Sequence, residues 1–137
     1  MDITIINPEG LHRSEVRAIQ RMRDSLRPNW KGYAAFEVFD NVGGMEFDVL
    51  LITHDRLLVV ELKEWNGNLT SRDGFWYLGE RRMGKSPLKT KNLHCKRLVS
   101  IFDRELRREL KYAYRIDVKV VLCGDLGPAF EVSLELD

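Results

Sequence analysis

The run Met45-Glu46-Phe47-Asp48-Val49-Leu50-Leu51-Ile52-Thr53, followed by His54-Asp55 and then Arg56-Leu57-Leu58-Val59-Val60-Glu61-Leu62-Lys63, decides how this chain reads. Two apolar runs rich in valine, leucine and isoleucine, separated by the short polar turn Thr53-His54-Asp55, are the pattern of neighbouring antiparallel strands. Residues two apart on a strand share a face, so Glu61 and Lys63 point the same way as Leu57 and Val59. By the same rule Asp48 shares a face with Leu50 and Ile52, which sets a carboxylate on a side expected to face the core. Two such strands present Asp48 and Glu61 close together, with Lys63 beside them. Unpaired buried carboxylates are costly, and a divalent cation is the usual compensation.

Outward from this pair, Ala35 to Phe39 reads as a preceding strand, joined through Asn41-Val42-Gly43-Gly44, so the three strands form an antiparallel meander. A further pair, around Asn68 to Ser71 and Phe75 to Leu78, is joined by Arg72-Asp73-Gly74, whose Asp-Gly is a strong hairpin signal. Gly79 to Lys85 reads as a polar loop. Before the meander, Leu11, Ala18, Ile19, Met22 and Leu26 recur at the spacing of an amphipathic helix that stops near Pro28. Glu15 falls on its apolar stripe, an unusual place for a carboxylate.

After the hairpin, Ser86-Pro87 supplies an N-cap and first residue for a long helix, whose stripe is Leu88, Cys95, Leu98, Val99, Phe102, Leu106 and Leu110, with Lys91 also on it. Ile116 to Leu122 then reads as a buried strand ended by Cys123-Gly124-Asp125, and Ala129 to Leu136 as one more strand. The expected architecture is α/β with a mixed sheet: a helix, a three-stranded meander, a long helix and a further strand.

Composition sets limits around that reading. A chain of 137 residues with 44% apolar content suits one soluble domain, 1–137, with a single core. It has no apolar run of the length a membrane span requires and no leader-like start, so a cytoplasmic location is expected. Cys95 and Cys123 lack metal-knuckle spacing and read as reduced and packed. The net charge is only +1, but it is unevenly spread: Lys31 to Glu80 holds 4 Lys/Arg against 9 Asp/Glu, and Arg81 to Arg115 holds 12 against 3. A basic segment beside an acidic one fits an enzyme that grips a phosphate backbone with one surface and metal ions with another, and equally a solvated helix face.

Phosphodiester hydrolysis needs an attacking water, neutralisation of charge in the transition state and help for the leaving oxygen. Mg²⁺ or Mn²⁺ held by one or two carboxylates supplies much of this. Asp48 and Glu61 suit the ligand role, Lys63 the positioning or deprotonation of water, and Glu15 an auxiliary place if the first helix packs over the same sheet face. On spacing alone, the same residues also read as surface salt bridges at strand ends.

Three segments carry a family resemblance: Ser14-Glu15 in a helix; Glu46-Phe47-Asp48-Val49-Leu50-Leu51; and Leu58-Val59-Val60-Glu61-Leu62-Lys63-Glu64-Trp65-Asn66-Gly67. Together with Gly74-Phe75-Trp76-Tyr77, Ser86-Pro87-Leu88-Lys89-Thr90, His94, Lys96 and Leu98, they resemble the nuclease-related domain, or NERD, family over roughly Arg13 to Gly124. The resemblance implies a restriction-endonuclease-like core and PD-(D/E)xK chemistry. Glu15, Asp48, Glu61 and Lys63 then correspond to the catalytic set, and Asp48, Glu61 and the Leu62 backbone carbonyl to the ligands of Mg²⁺ or Mn²⁺. DNA is the implied partner, held by Arg81, Arg82, Lys85, Lys89 and Lys91. Domains of this kind occur fused to helicase, kinase or DNA-processing modules, and the strand-like ending fits an N-terminal piece of a longer protein. One departure stands out: the family commonly has a glutamine in the first turn of the long helix, where this chain has Thr90.

His12, His54 and His94 lack metal-ligand spacing and read as surface or packing residues. Ser14 and Cys95 have no histidine partner for covalent catalysis, and no glycine-rich phosphate loop is present. Trp65 and Trp76 can stack on a base or cover a core edge. Two functions follow: a metal-dependent nuclease acting on DNA, or an inactive nuclease-fold module that binds DNA or regulates a fused partner. Thr90 favours the second, the intact Asp48, Glu61 and Lys63 the first.

Overall fold

The expected meander forms the middle of a five-stranded mixed sheet in a computed structural model that describes residues 1–85, 87–106 and 115–122. Its strands are β1 (Asp2–Ile5), β2 (Lys31–Phe39), β3 (Gly44–Ile52), β4 (Arg56–Lys63) and β8 (Arg115–Leu122), in the spatial order β1-β2-β3-β4-β8. The three meander strands pair antiparallel, while β1 adds parallel to β2 and β8 parallel to β4. Helix α1 (Arg13–Ser25) lies on one face and α2 (Pro87–Leu106) on the other. Strands β5 (Leu69–Arg72), β6 (Phe75–Leu78) and β7 (Arg81–Lys85) make a separate antiparallel sheet.

Two differences from the sequence reading stand out. Strand β1 was not anticipated, although Ile3 and Ile5 alternate with polar neighbours. The segment read as a polar loop after Gly79 is instead β7, paired to β6 with a register shift at Trp76/Tyr77 that leaves Met83 without an opposite residue. That bulge, with Gly84 at a φ of 120°, breaks the two-residue period by which a strand is recognised. The Asp-Gly signal did produce its hairpin: Asp73 and Gly74 have φ of 54° and 76°, as a tight turn between β5 and β6 requires. The N-cap Ser86, the turn at Cys123 and the strand Ala129 to Leu136 lie outside the described residues.

The sheet divides the core in two. Ile3, Ala18, Ile19, Ala34, Val49, Leu51, Val60 and Leu62 are buried together on the α1 side. Met45, Phe47, Leu50, Val59, Cys95 and Leu98 are buried on the α2 side. Burial pushes the Cys95 thiol up to about 11, which makes it an inert packing residue.

A change of face in the middle of β2 and β3 positions the site. Ala34 and Val49 face α1, yet Phe36 and Phe47, two residues away on each strand, pack on the α2 side. Strict alternation would keep each pair on one face. The pairing register runs from Ala34↔Val49 directly to Phe36↔Phe47, and Ala35, skipped between them, has a φ of 55°. A left-handed alanine costs roughly 1–2 kcal/mol. Here it lets both strands roll over together, and Asp48 is the residue skipped opposite it.

The β2–β3 turn is tied to α2 by Arg97, which donates to Asp40 Oδ2 at 2.7 Å and Oδ1 at 2.5 Å, and to the Gly43 carbonyl at 2.9 Å. The Arg97 guanidinium holds the Asp40 carboxyl well below the usual carboxylate range. With the folded value depressed, this contribution is present above the unfolded value near ~4 and fades as pH falls towards the folded one. Among the described residues, no helix is long and apolar enough to cross a membrane.

Candidate active site

Strands β3 and β4 pair from Ile52↔Leu57 to Val49↔Val60, and the ladder stops there. The next residues on each strand are Asp48 and Glu61. Instead of continuing the ladder, the Asp48 carboxylate accepts a hydrogen bond from the Leu62 amide to Oδ2 at 2.8 Å. A side chain thus replaces a backbone acceptor where the strands part, and both carboxylates gather at the fork. Burial pushes the Asp48 carboxyl up and the Glu61 charge adds to this, while the Leu62 amide and the Lys91 and Lys63 charges pull it down.

Glu61 extends from β4 on the α2 side, as the alternation with Leu57 and Val59 requires. Its Oε1 is 3.5 Å from Lys63 Nζ and its Oε2 is 3.3 Å from Lys91 Nζ. Glu61 and Lys63 line a cavity of about 160 Å³ with Trp65, Met83 of β7, and Thr90 and Lys91 of α2. Thr90 occupies the first turn of α2, beside the site but exposed. Lys63 also lies over the Trp65 ring, 6.0 Å from its centroid, and Trp65 meets Trp76 edge-on at 5.4 Å. Both tryptophans therefore pack where the small sheet meets the site, and Trp76 is buried.

Glu15 is placed differently. It lines a cavity of about 340 Å³ together with Ala35, Glu46 and Asp48, on the opening left by the roll of β2 and β3. Its Oε1 accepts from the His12 amide at 3.2 Å, closing the first turn of α1 in the manner of a capping box. Glu15 therefore shares a cavity with Asp48 and serves the helix start, while Glu61 opens on the other cavity. Leu62 buries its side chain in the α1-side core and commits its amide to Asp48.

Among the described residues, no three Asp, Glu, His or Cys side chains gather as a ready cluster for a metal ion. The pair Asp48 and Glu61 nevertheless suits one. Glu61 Oε2 is buried without a hydrogen bond, and Asp48 commits Oδ2 to Leu62. Mg²⁺ is commonly held by only one or two carboxylates and keeps several waters. Asp48 and Glu61 are thus the residues that would hold a divalent ion.

The basic residues divide into two groups. Arg81, Arg82 and Lys89 are exposed on β7 and the start of α2, and Lys89 Nζ lies against the Asp73-Gly74 turn. Lys91 is only 7% exposed and faces Glu61, so in this structure it is not part of the outer basic surface. The small sheet adds residues that sequence reasoning passed over. Arg72 lies over the Tyr77 ring at 4.2 Å and Arg82 over the Phe75 ring at 4.9 Å, across adjacent strands. The hairpin signal placed these strands, but pairing of Arg82 required β7, whose bulge concealed it.

A helix, a three-stranded meander with carboxylates at its fork, a second helix and a parallel closing strand define a restriction-endonuclease-like α/β domain. The chain belongs to the nuclease-related domain family, whose model matches residues 11–123. It is also similar to a "Probable kinase PglW" of Streptomyces coelicolor, with 31% identity over a 106-residue alignment that covers 72% of this chain. The matched segment is 7% of that relative's length. No solved structure matches the chain.

Proposed function

We propose that this domain is a Mg²⁺- or Mn²⁺-dependent nuclease that hydrolyses DNA phosphodiester bonds. The observation that carries the reading is the fork of β3 and β4, where Asp48 and Glu61 meet with Lys63 Nζ at 3.5 Å from Glu61. When bound, the metal would neutralise charge on the phosphodiester and lower the pKa of an attacking water. The chain's own residues do the rest. Asp48 and Glu61 hold the ion, Lys63 positions or deprotonates the water, and Arg81, Arg82, Lys85 and Lys89 grip the DNA backbone. Glu15 assists from the Asp48 side. We place the domain in the cytosol, where its DNA substrate would be met.

Cleavage of plasmid and oligonucleotide DNA with added metal against chelator tests the activity, and calorimetric titration with Mn²⁺ tests the site. Asp48→Ala and Glu61→Ala are each expected to abolish Mn²⁺ binding while the circular dichroism of the fold is retained. Unchanged affinity in both variants would remove the metal from this site.

Neutralising Arg81, Arg82, Lys85 and Lys89 together is expected to weaken DNA binding and flatten its dependence on salt. Each lost phosphate contact removes about one unit of slope in log affinity against log salt. An unaltered slope would put the nucleic-acid surface elsewhere.

A second reading, a module that binds DNA or regulates a fused partner without cutting, is favoured by one observation: lysines already flank both oxygens of Glu61. The far greater length of the kinase-named relative supports a fused context for this domain under either reading. Cleavage in metal but not in chelator decides between them.

A further inference from the structure

Lys91 stands at a core position of α2. It shares a helical face with Cys95 and Leu98, and the three are 7%, 7% and 2% exposed. Buried lysines are rare unless paired, so the surroundings of this one say what it is for. Its ammonium donates to the Glu46 carbonyl, stands 3.5 Å from His94 Nδ1 and 3.3 Å from Glu61 Oε2, and lies over the Phe47 ring at 5.2 Å. Of its three N–H donors, one is taken by the Glu46 carbonyl and a second meets His94 in the tautomer whose Nδ1 accepts. Phe47 and His94 pack edge-on at 6.2 Å, which fixes the walls of its niche.

The contact with Glu61 differs from an ordinary buried ion pair. Oε2 receives compensating charge at 3.3 Å but takes no hydrogen bond, so its lone pairs stay available. With Lys63 at Oε1, the fork carries two carboxylates, Asp48 and Glu61, and two ammonium groups. It is neutral as it stands. Adding a divalent ion while both lysines remain would leave an excess of positive charge in a partly buried site, where like charges at this range repel.

We infer, on the metal-site reading proposed above, that Lys91 is an internal counter-cation of Glu61 and that a divalent ion reaches Glu61 Oε2 only by displacing the Lys91 ammonium. Lys91 is then a positioning residue that keeps the fork assembled without metal. Loading the site is an exchange of one cation for another, and it lowers the apparent metal affinity by the cost of moving the lysine. Its release also frees a cation at the mouth of the cavity shared with Thr90 and Met83.

Calorimetric titration of the whole chain with Mn²⁺ tests this, using Lys91→Gln and Lys91→Met beside wild type and Glu61→Gln. Both Lys91 variants are expected to bind Mn²⁺ about tenfold more tightly or better, because the competing charge is gone. They should melt at lower temperature than wild type without metal and regain more on adding it. Damage to the fold would lower affinity, so a gain is not explained by a structural role. A measurement on wild type needs no variant to fold: the His94 ring resonances should shift on titration with diamagnetic Mg²⁺ as Lys91 leaves Nδ1, and should not shift in Glu61→Gln. Equal or weaker Mn²⁺ binding by folded Lys91 variants, or an unmoved His94 ring in Mg²⁺-bound wild type, overturns the exchange and leaves the metal site standing. Absence of binding in wild type and both Lys91 variants overturns the exchange and the metal site together.

Discussion

Lys63→Ala is expected to lower single-turnover cleavage by ~10²- to 10⁴-fold, about 3 to 5 kcal/mol of barrier, with little change in DNA affinity. The reason lies in its position. Lys63 Nζ is 3.5 Å from Glu61 Oε1, on the same strand face and lining the same cavity, and is only partly exposed. On the proposed mechanism a group so placed would act on the water at the reacting phosphate, and help given mainly in the transition state appears in turnover. Loss of a plain phosphate contact would weaken binding and leave the maximal rate nearly intact. The measurement pairs single-turnover rates with equilibrium binding on one variant, after Mn²⁺ titration has shown that metal occupancy is unchanged. A Lys63→Ala protein that cuts at the wild-type rate would sink the proposed mechanism.

Phe47→Ala should cost the fold about 3 to 5 kcal/mol, read as a shift of the urea midpoint at unchanged slope. Phe47 is 1% exposed, stacks on Phe36 at 5.4 Å and forms a wall of the Lys91 niche. It is also the first residue on the far side of the roll that presents Asp48. Removing the ring leaves a cavity beneath α2 and loosens the fork, so Mn²⁺ affinity should fall along with stability. A loss below about 1 kcal/mol would mean that the α2-side core collapses freely into the space, and would contradict the tight packing at this position.

Much of the sheet was legible because periodicity is a local property. The runs Met45 to Thr53 and Arg56 to Lys63, the turn between them, the Asp-Gly hairpin and both amphipathic helices each carry their own signal, and each is found in the structure. Glu61 beside Lys63 followed from the two-residue repeat of a single strand. Strand β7 was missed because a bulge disrupts that repeat, and β1 because four residues hold little pattern.

The site was legible only in part. Asp48 was expected to share a face with Leu50 through simple alternation, but it stands at the residue where β2 and β3 change faces, and it reaches the fork by bonding the Leu62 amide. Glu15 was expected to take an auxiliary place if the first helix packed over the same sheet face; it lines the Asp48 cavity while its Oε1 also closes the first turn of α1. Lys91 was legible on the apolar stripe of the long helix, but its partner was not: the packing of α2 sets its ammonium against Glu61.

Local chemistry by itself determined both helices, the meander, the Asp-Gly hairpin and the pairing of Glu61 with Lys63, since each depends on neighbours in the chain. Tertiary structure decided which oxygens meet which cations: the left-handed Ala35 that rolls two strands, the fork that seats Asp48, and the helix that sets Lys91 against Glu61. The Asp48–Leu62 and Lys91–Glu61 contacts join residues 14 and 30 positions apart, and no local period encodes a distance across the fold.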